Sequence, residues 1–186
     1  GELMSYTIIS DYFKSEGLSC LGVDTRNLIV TKGELLAGDV VEADSFERLG
    51  SLNGQADVVV IPGFIARDGE GDTSTLGRGG SDYTAALVAA AMNASVLEIW
   101  TDVSGVMTAN PKLVRNAHPI EHLSYAEAME LSFFGAKVIY PPTIQPLVKA
   151  GIPVRIKNTM KPDDDGTVIS EAVEDPNTTV KGISSI

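Results

Sequence analysis

Strand-like and helix-like segments alternate along most of the chain, and that alternation limits the fold more than any other feature. ADVVVIPGFIAR carries a fully apolar run, the pattern of a strand buried in a parallel sheet. SDYTAALVAAAMNA then reads as a helix and SVLEIWT as a strand. SYAEAMELSFFG reads as a helix opened by Ser124 as N-cap with Glu127 three residues on, a capping box. AKVIYPPTIQPLVKAG holds a further helix with prolines at its start, and IPVRIKNT is a strand. This order predicts an α/β fold with a parallel sheet covered on both faces. Earlier, GELMSYTIISDYFKSEG has helical apolar spacing at Leu3, Ile8, Ile9, Tyr12 and Phe13, with an end near Gly17. LSCLGV reads as a strand, LIVT and DVVEA as short strands, and SFERLGSL as a helix.

Two stretches remain as long loops, RDGEGDTSTLGRGG and DVSGVMTANPKLVRNAHPIEHL. Loops of more than about 12 residues are uncommon unless they carry function. The first leads into GRGGSDYTAALVAA, which is neither a Walker loop nor a G-x-G-x-x-G fingerprint. It admits two readings. One is a tight turn with Ser81 as N-cap and Asp82 complementing the helix dipole. In the other, Arg78 and exposed backbone N–H groups at a helix start seat a carboxylate or phosphate. Thr101, Asp102 and Pro62-Gly63 fall at the C-terminal ends of predicted strands, where open α/β sheets place ligands. Lys137 follows a glycine turn and could neutralise phosphate charge.

Other residues read more simply. His118 and His122 stand four apart, but Pro119 interrupts any common helix face and no H-E-x-x-H occurs, so no metal site is expected. Asp163, Asp164 and Asp165 before Gly166 read as a solvated turn. Met92, Met107, Met129 and Trp100 read as packing residues.

The formal charge of −11 argues against a nucleic-acid partner, though a phosphate ligand needs only local positive charge. No apolar run has the length of a membrane span, and no signal peptide is expected. The single cysteine, Cys20, leaves no internal disulfide and fits a reducing cytoplasm. With 186 residues the chain is long enough for a compact core. It opens inside an amphipathic helix without methionine, and after Ser170 the sequence EAVEDPNTTVKGISSI turns polar. Both features lead to the expectation of a segment cut from a longer protein.

Taken together, RGGSDYTAA, WTDVSGVMTANP, SYAEAMELSFFGAKV, the closing IKNT and the opening GELMS resemble the aspartate kinase family of the amino-acid kinase superfamily. The resemblance implies a three-layer αβα sandwich with a mainly parallel sheet, here without its N-terminal part. Residues 1–170 would be the C-terminal portion of the catalytic domain, and 171–186 a linker toward an ACT-like regulatory region, whose entry VKGIS resembles. IKNT and the linker resemble bifunctional members that also carry homoserine dehydrogenase.

The implied reaction moves the γ-phosphate of ATP, with Mg²⁺ carried by the nucleotide, to the side-chain carboxylate of L-aspartate. It opens the routes to lysine, threonine and methionine. By motif, Arg78 would clamp the α-carboxylate with Gly79, Gly80 and Ser81, and Glu2 would meet the α-ammonium. Asp82 would hold catalytic lysines by ion pairing. Thr101, Asp102, Met107, Lys112, Lys137 and Val138 would lie against ATP, with Lys137 neutralising phosphate charge. The family also implies a cytoplasmic parent that forms a homo-oligomer.

The sequence departs from the family pattern at Met107, where tyrosine is frequent, at Lys112, where arginine is, and at Asn110, where aspartate is. The family's K-[FY]-G-G-[TS] loop does not occur here. The expectation is therefore little or no activity from this segment alone. Two alternatives stay open: another superfamily member acting on acetylglutamate, glutamate or UMP, and a non-catalytic fragment that binds ATP or aspartate.

Overall fold

The computed structural model describes residues 1–133, 139–140, 144–171 and 180–183. The chain divides into two compact units, Gly1–Met92 and Asn93–Ile186. Each mixes strands and helices, so the α/β class holds. The sheets combine parallel with antiparallel pairs. Among the described residues no helix is long and apolar enough to cross a membrane.

In the first unit, α1 spans Glu2–Ser15. It stops where the sequence predicts. Gly17 takes φ +85°, its N–H donates to the Lys14 carbonyl (3.0 Å), and Leu18 N–H donates to the Phe13 carbonyl (3.1 Å). This is the double bond pattern of a Schellman end. Only part of the apolar spacing faces inward: Leu3 and Phe13 are half-buried on the side of Ser10, and Ile8, Ile9 and Tyr12 are exposed. Ser10 is buried, whereas Met4, Ile8 and Tyr12 are 71%, 65% and 60% exposed. Contact with β1 (Cys20–Gly22) explains the choice. A Cβ on Gly22 would lie 2.5 Å from Ser10 Oγ, so only a small side chain fits that approach.

β1 pairs in parallel with β4 (Val58–Val60). A second sheet has the order β3-β2-β5-β6, formed by Asp39–Val40, Val30–Lys32, Ile65–Asp68 and Thr73–Thr75. ADVVVIPGFIAR is thus two strands in two sheets rather than one. The polar stretch expected to be a loop contains an antiparallel hairpin, β5–β6. Asp68 shapes its turn by accepting the Glu70 and Asp72 N–H groups (3.0 and 2.8 Å). α2 (Glu42–Gly50) and α3 (Gly80–Ala91) complete the unit. Leu28, Ile29, Leu49, Leu52, Leu76 and Leu87 form its core.

Among the described residues the second unit has one sheet of order β7-β9-β10-β8: Leu97–Thr101, Val154–Asn158, Thr167–Ser170 and His122–Ser124. β8 and β10 carry no strand signal in the sequence; both are short, and β10 follows directly on the aspartate run and Gly166. α5 covers Gln145–Ala150, with proline near its start. Leu123, Ile144, Leu147, Val154, Ile156 and Ile169 are wholly buried.

α4 (Tyr125–Phe133) begins with the expected capping box. Ser124 N–H donates to Glu127 Oε2 (2.7 Å), and Glu127 N–H donates to Ser124 Oγ (3.2 Å). Lys181 Nζ also meets Glu127 Oε2 at 3.1 Å, and Ile183 N–H donates to the Thr108 carbonyl (2.8 Å). Residues 180–183 of the expected linker therefore lie against this unit. Burial pushes the Glu127 carboxyl up, but the Ser124 N–H, Lys181 and the Ser124 hydroxyl outweigh it and hold it below its ordinary value. Ser124→Ala removes one half of the box and should cost about 1 kcal/mol. Urea unfolding measured on both proteins checks this.

Candidate active site

The site of interest in the first unit starts where β4 stops. Pro62 cannot donate to a ladder, and the chain turns sharply after it. Ile65 N–H donates to the Gly63 carbonyl (2.9 Å), closing a γ-turn around Phe64. Phe64 has φ +74°, a left-handed conformation that a bulky residue rarely adopts. Such strain persists only where surrounding contacts over-determine it. Here the Thr25 hydroxyl donates to the Pro62 carbonyl. Phe64 N–H donates to Thr84 Oγ1 (3.1 Å), and Leu76 N–H donates to the Phe64 carbonyl (2.9 Å).

The turn is pressed against the start of α3. A Cβ on Gly63 would fall 3.0 Å from Ser81 Cα and 3.1 Å from Ser81 Cβ. A Cβ on Gly80 would fall 2.9 Å from the Phe64 ring and 3.0 Å from Leu76 Cβ. The glycines thus permit an approach that a Cβ would crowd.

α3 does not start as the turn reading supposes. Its N-cap is Gly79 at φ +72°, with no side-chain cap, and Ser81 is the second helical residue. Gly77 also has positive φ (+68°), so the glycine-rich turn itself winds into the helix. Gly80 N–H donates to the Gly77 carbonyl (3.1 Å), and the helical ladder begins with Tyr83 N–H to the Gly79 carbonyl (2.9 Å). The Ser81 and Asp82 N–H groups precede that ladder and mark the positive end of the helix. Arg78 is exposed between the two left-handed glycines. Asp82 is half-buried, and that burial pushes its carboxyl up. Arg78, Gly79, Gly80, Ser81 and Asp82 therefore share one turn. Glu2 lies in the first turn of α1, exposed, on another element of the same unit.

In the second unit, Thr101 ends β7, and its carbonyl accepts the Thr159 N–H (2.8 Å). Its hydroxyl donates to Asp102 (3.2 Å), which is exposed. The following loop is pinned. Ser104 donates to the Asp164 carboxylate (2.6 Å) and accepts from Asn158 Nδ2 (2.9 Å). Val106 N–H donates to Thr167 Oγ1 (2.8 Å). Asp164 is thus engaged rather than simply solvated, while Asp163 and Asp165 are exposed. The bonds that join Ser104 to Asp164 and Asn158 span 60 and 54 residues, so no local pattern signals them.

Met107 bridges the backbone of Pro119. Lys112 is exposed, and its N–H donates to Asn110 Oδ1 (3.0 Å). Trp100 is 47% exposed rather than packed inside, with Lys157 Nζ 5.6 Å from its ring centroid. Lys137 and Val138 lie outside the described residues.

Comparison with known proteins gives these features a context. A model of the amino acid kinase family matches residues 1–158. The chain is 44% identical over 187 aligned positions to the bifunctional aspartokinase/homoserine dehydrogenase of Haemophilus influenzae, covering 100% of this chain and 23% of that protein. It is 38% identical to the lysine-sensitive aspartokinase 3 of Escherichia coli, covering 95% of this chain and 40% of that one. Among solved structures, Escherichia coli aspartokinase III in complex with aspartate and ADP (R-state) superposes with a TM-score of 0.87 at 36% identity. That match covers 95% of this chain and 40% of the solved one, so the chain spans well under half the length of these relatives.

Proposed function

The chain belongs to the amino acid kinase family, and on that premise we propose that it carries acceptor- and nucleotide-binding parts of an ATP-dependent kinase for L-aspartate. In this reading the β-carboxylate takes the γ-phosphate, giving 4-phospho-L-aspartate, and residues 1–170 belong to the catalytic domain. The observation that carries it is the start of α3. Arg78, two left-handed glycines and the first turn of a helix adjoin one another in the chain, the elements that recognition of a carboxylate uses. The similarity to aspartokinases supports L-aspartate as the acceptor.

The chemistry follows from charge. An aspartate side chain, with an ordinary pKa of about 3.9, is already ionised at neutral pH and needs no general base. The obstacle is repulsion between an anionic nucleophile and an anionic phosphate. Positive groups fixed in place must offset it. Arg78 holds the α-carboxylate with the N–H groups and hydroxyl at Gly79, Gly80 and Ser81, and Glu2 meets the α-ammonium. Asp82 orients a catalytic lysine. In the second unit, Thr101, Asp102, Met107, Lys112, Lys137 and Val138 serve the nucleotide, which enters as its Mg²⁺ complex. A soluble, cytoplasmic, oligomeric parent belongs to the same reading.

The test traps acyl phosphate with hydroxylamine, using the complete polypeptide that contains this chain, ATP, Mg²⁺ and each candidate acid. Hydroxamate from L-aspartate alone supports the reading. Product from another acid moves the acceptor within the family, and no product from any acid overturns kinase activity in favour of binding alone.

Asp82 supplies a second test. Burial raises its folded-state pKa, so the ionised carboxylate weakens the fold at neutral pH, and that penalty lifts as pH falls through the raised value. Asp82→Asn should therefore melt at an equal or higher temperature at pH 7, with the gap from wild type closing as the pH is lowered. Turnover should nevertheless fall by about a hundredfold or more. Differential scanning fluorimetry across pH and the hydroxamate assay measure the two effects.

A further inference from the structure

We propose that Thr84 is a positioning residue whose buried hydroxyl locks the strained Gly63–Ile65 turn onto the start of α3 and so fixes the seat around Arg78, Gly79 and Ser81. The inference rests on the reading of that seat as the acceptor site.

Thr84 is 3% exposed and sits one helical turn into α3. Its hydroxyl donates to the Gly80 carbonyl (2.9 Å), an ordinary back-bond within a helix. The same oxygen accepts the Phe64 N–H (3.1 Å), which is not ordinary, because it reaches 20 residues back to a strained turn. One atom thereby joins the carbonyl of the helix's first residue to the amide of the turn.

The three carbonyls of the turn are also engaged. The Pro62 carbonyl accepts from Thr25, the Gly63 carbonyl from Ile65 and the Phe64 carbonyl from Leu76. Deleting the Thr84 hydroxyl leaves the Phe64 N–H without its acceptor and removes one of the restraints on a left-handed phenylalanine. The turn can then relax toward ordinary φ. Gly63 lies close against Ser81, since one added carbon at Gly63 would lie 3.0–3.1 Å from Ser81 atoms. Ser81 packs against this turn, so a shift of the turn shifts the seat, while among the described residues those of the second unit carry none of these bonds.

Thr84→Val keeps the volume and removes the hydroxyl, Thr84→Ser restores it, and Gly63→Ala pushes on Ser81 from the other side. Each is made in the complete polypeptide, and kcat, both KM values and thermal stability are measured with L-aspartate and ATP. Thr84→Val should raise the KM for L-aspartate by about tenfold, with kcat and the KM for ATP within about threefold of wild type. Thr84→Ser should recover most of that loss, and Gly63→Ala should raise the same KM.

A Thr84→Val protein that melts lower but keeps its KM for L-aspartate overturns the inference, as does an equal rise in both KM values. If Thr84→Val does not fold, Gly63→Ala decides, and an unchanged KM for L-aspartate there overturns it. A wild-type protein that never saturates with L-aspartate removes the acceptor-site reading and this inference together, a failure visible without any substitution.

Discussion

Arg78→Ala should lower kcat/KM for L-aspartate by about a thousandfold, equivalent to about 4 kcal/mol of lost transition-state stabilisation. The guanidinium is the one side chain in the glycine turn able to grip a carboxylate with two parallel bonds. Gly77 and Gly79, both at positive φ, hold the backbone on either side of it. Removing it leaves helix N–H groups and the Ser81 hydroxyl to hold an anion without a full positive charge. Arg78→Lys separates charge from geometry: it keeps the former and loses the fork, so the loss should be smaller, about thirtyfold. Steady-state kinetics on the complete polypeptide measure both. If Arg78→Ala changes kcat/KM by less than tenfold, Arg78 does not hold the acceptor.

The largest structural effect is expected at Gly166. It has φ +77°, and a Cβ there would sit 1.9 Å from the Ile156 carbonyl oxygen. That oxygen belongs to β9, which is paired on one side with β7 and on the other with β10. The strand cannot recede without breaking a ladder. Gly166→Ala should therefore destabilise the second unit by about 4 kcal/mol or more, of which the left-handed backbone accounts for only about 1–2 kcal/mol. Gly151→Ala is the matching control. Gly151 has φ +66°, and a Cβ added there would meet nothing within 4 Å. It should lose only the backbone part. Trp100 is the single tryptophan and lies on β7, so its fluorescence during urea unfolding reports on this sheet. Equal losses at the two glycines would show that the contact with β9 carries no cost.

Both predictions begin from residues visible in the sequence, but they differ in how far the sequence explains them. RGGSD announces a glycine turn entering a helix. Local pattern offers Ser81 as the cap of that helix, but a left-handed Gly79 starts the helix sooner. Gly166 reads locally as no more than the end of a solvated aspartate run. Its importance comes from β9 passing directly beneath it, and Asp164 likewise gains its role from Ser104, 60 residues earlier.

Local signals did determine much. The end of α1 at Gly17, the capping box of Ser124 and Glu127 and the helix in SDYTAALVAAAMNA all depend on contacts within a few residues. Such contacts are written in the order of side chains. Only the tertiary structure decided that the apolar run of ADVVVIPGFIAR breaks at Phe64 and that α1 buries Ser10 while leaving Ile8 and Tyr12 exposed. A phenylalanine at positive φ is unfavourable by itself. It stands here because Thr25, 37 residues before Pro62, and Thr84, 20 residues after Phe64, supply hydroxyls that hold the turn from two sides. Those bonds exist only once the chain has folded back on itself, which is why no local pattern could have shown them.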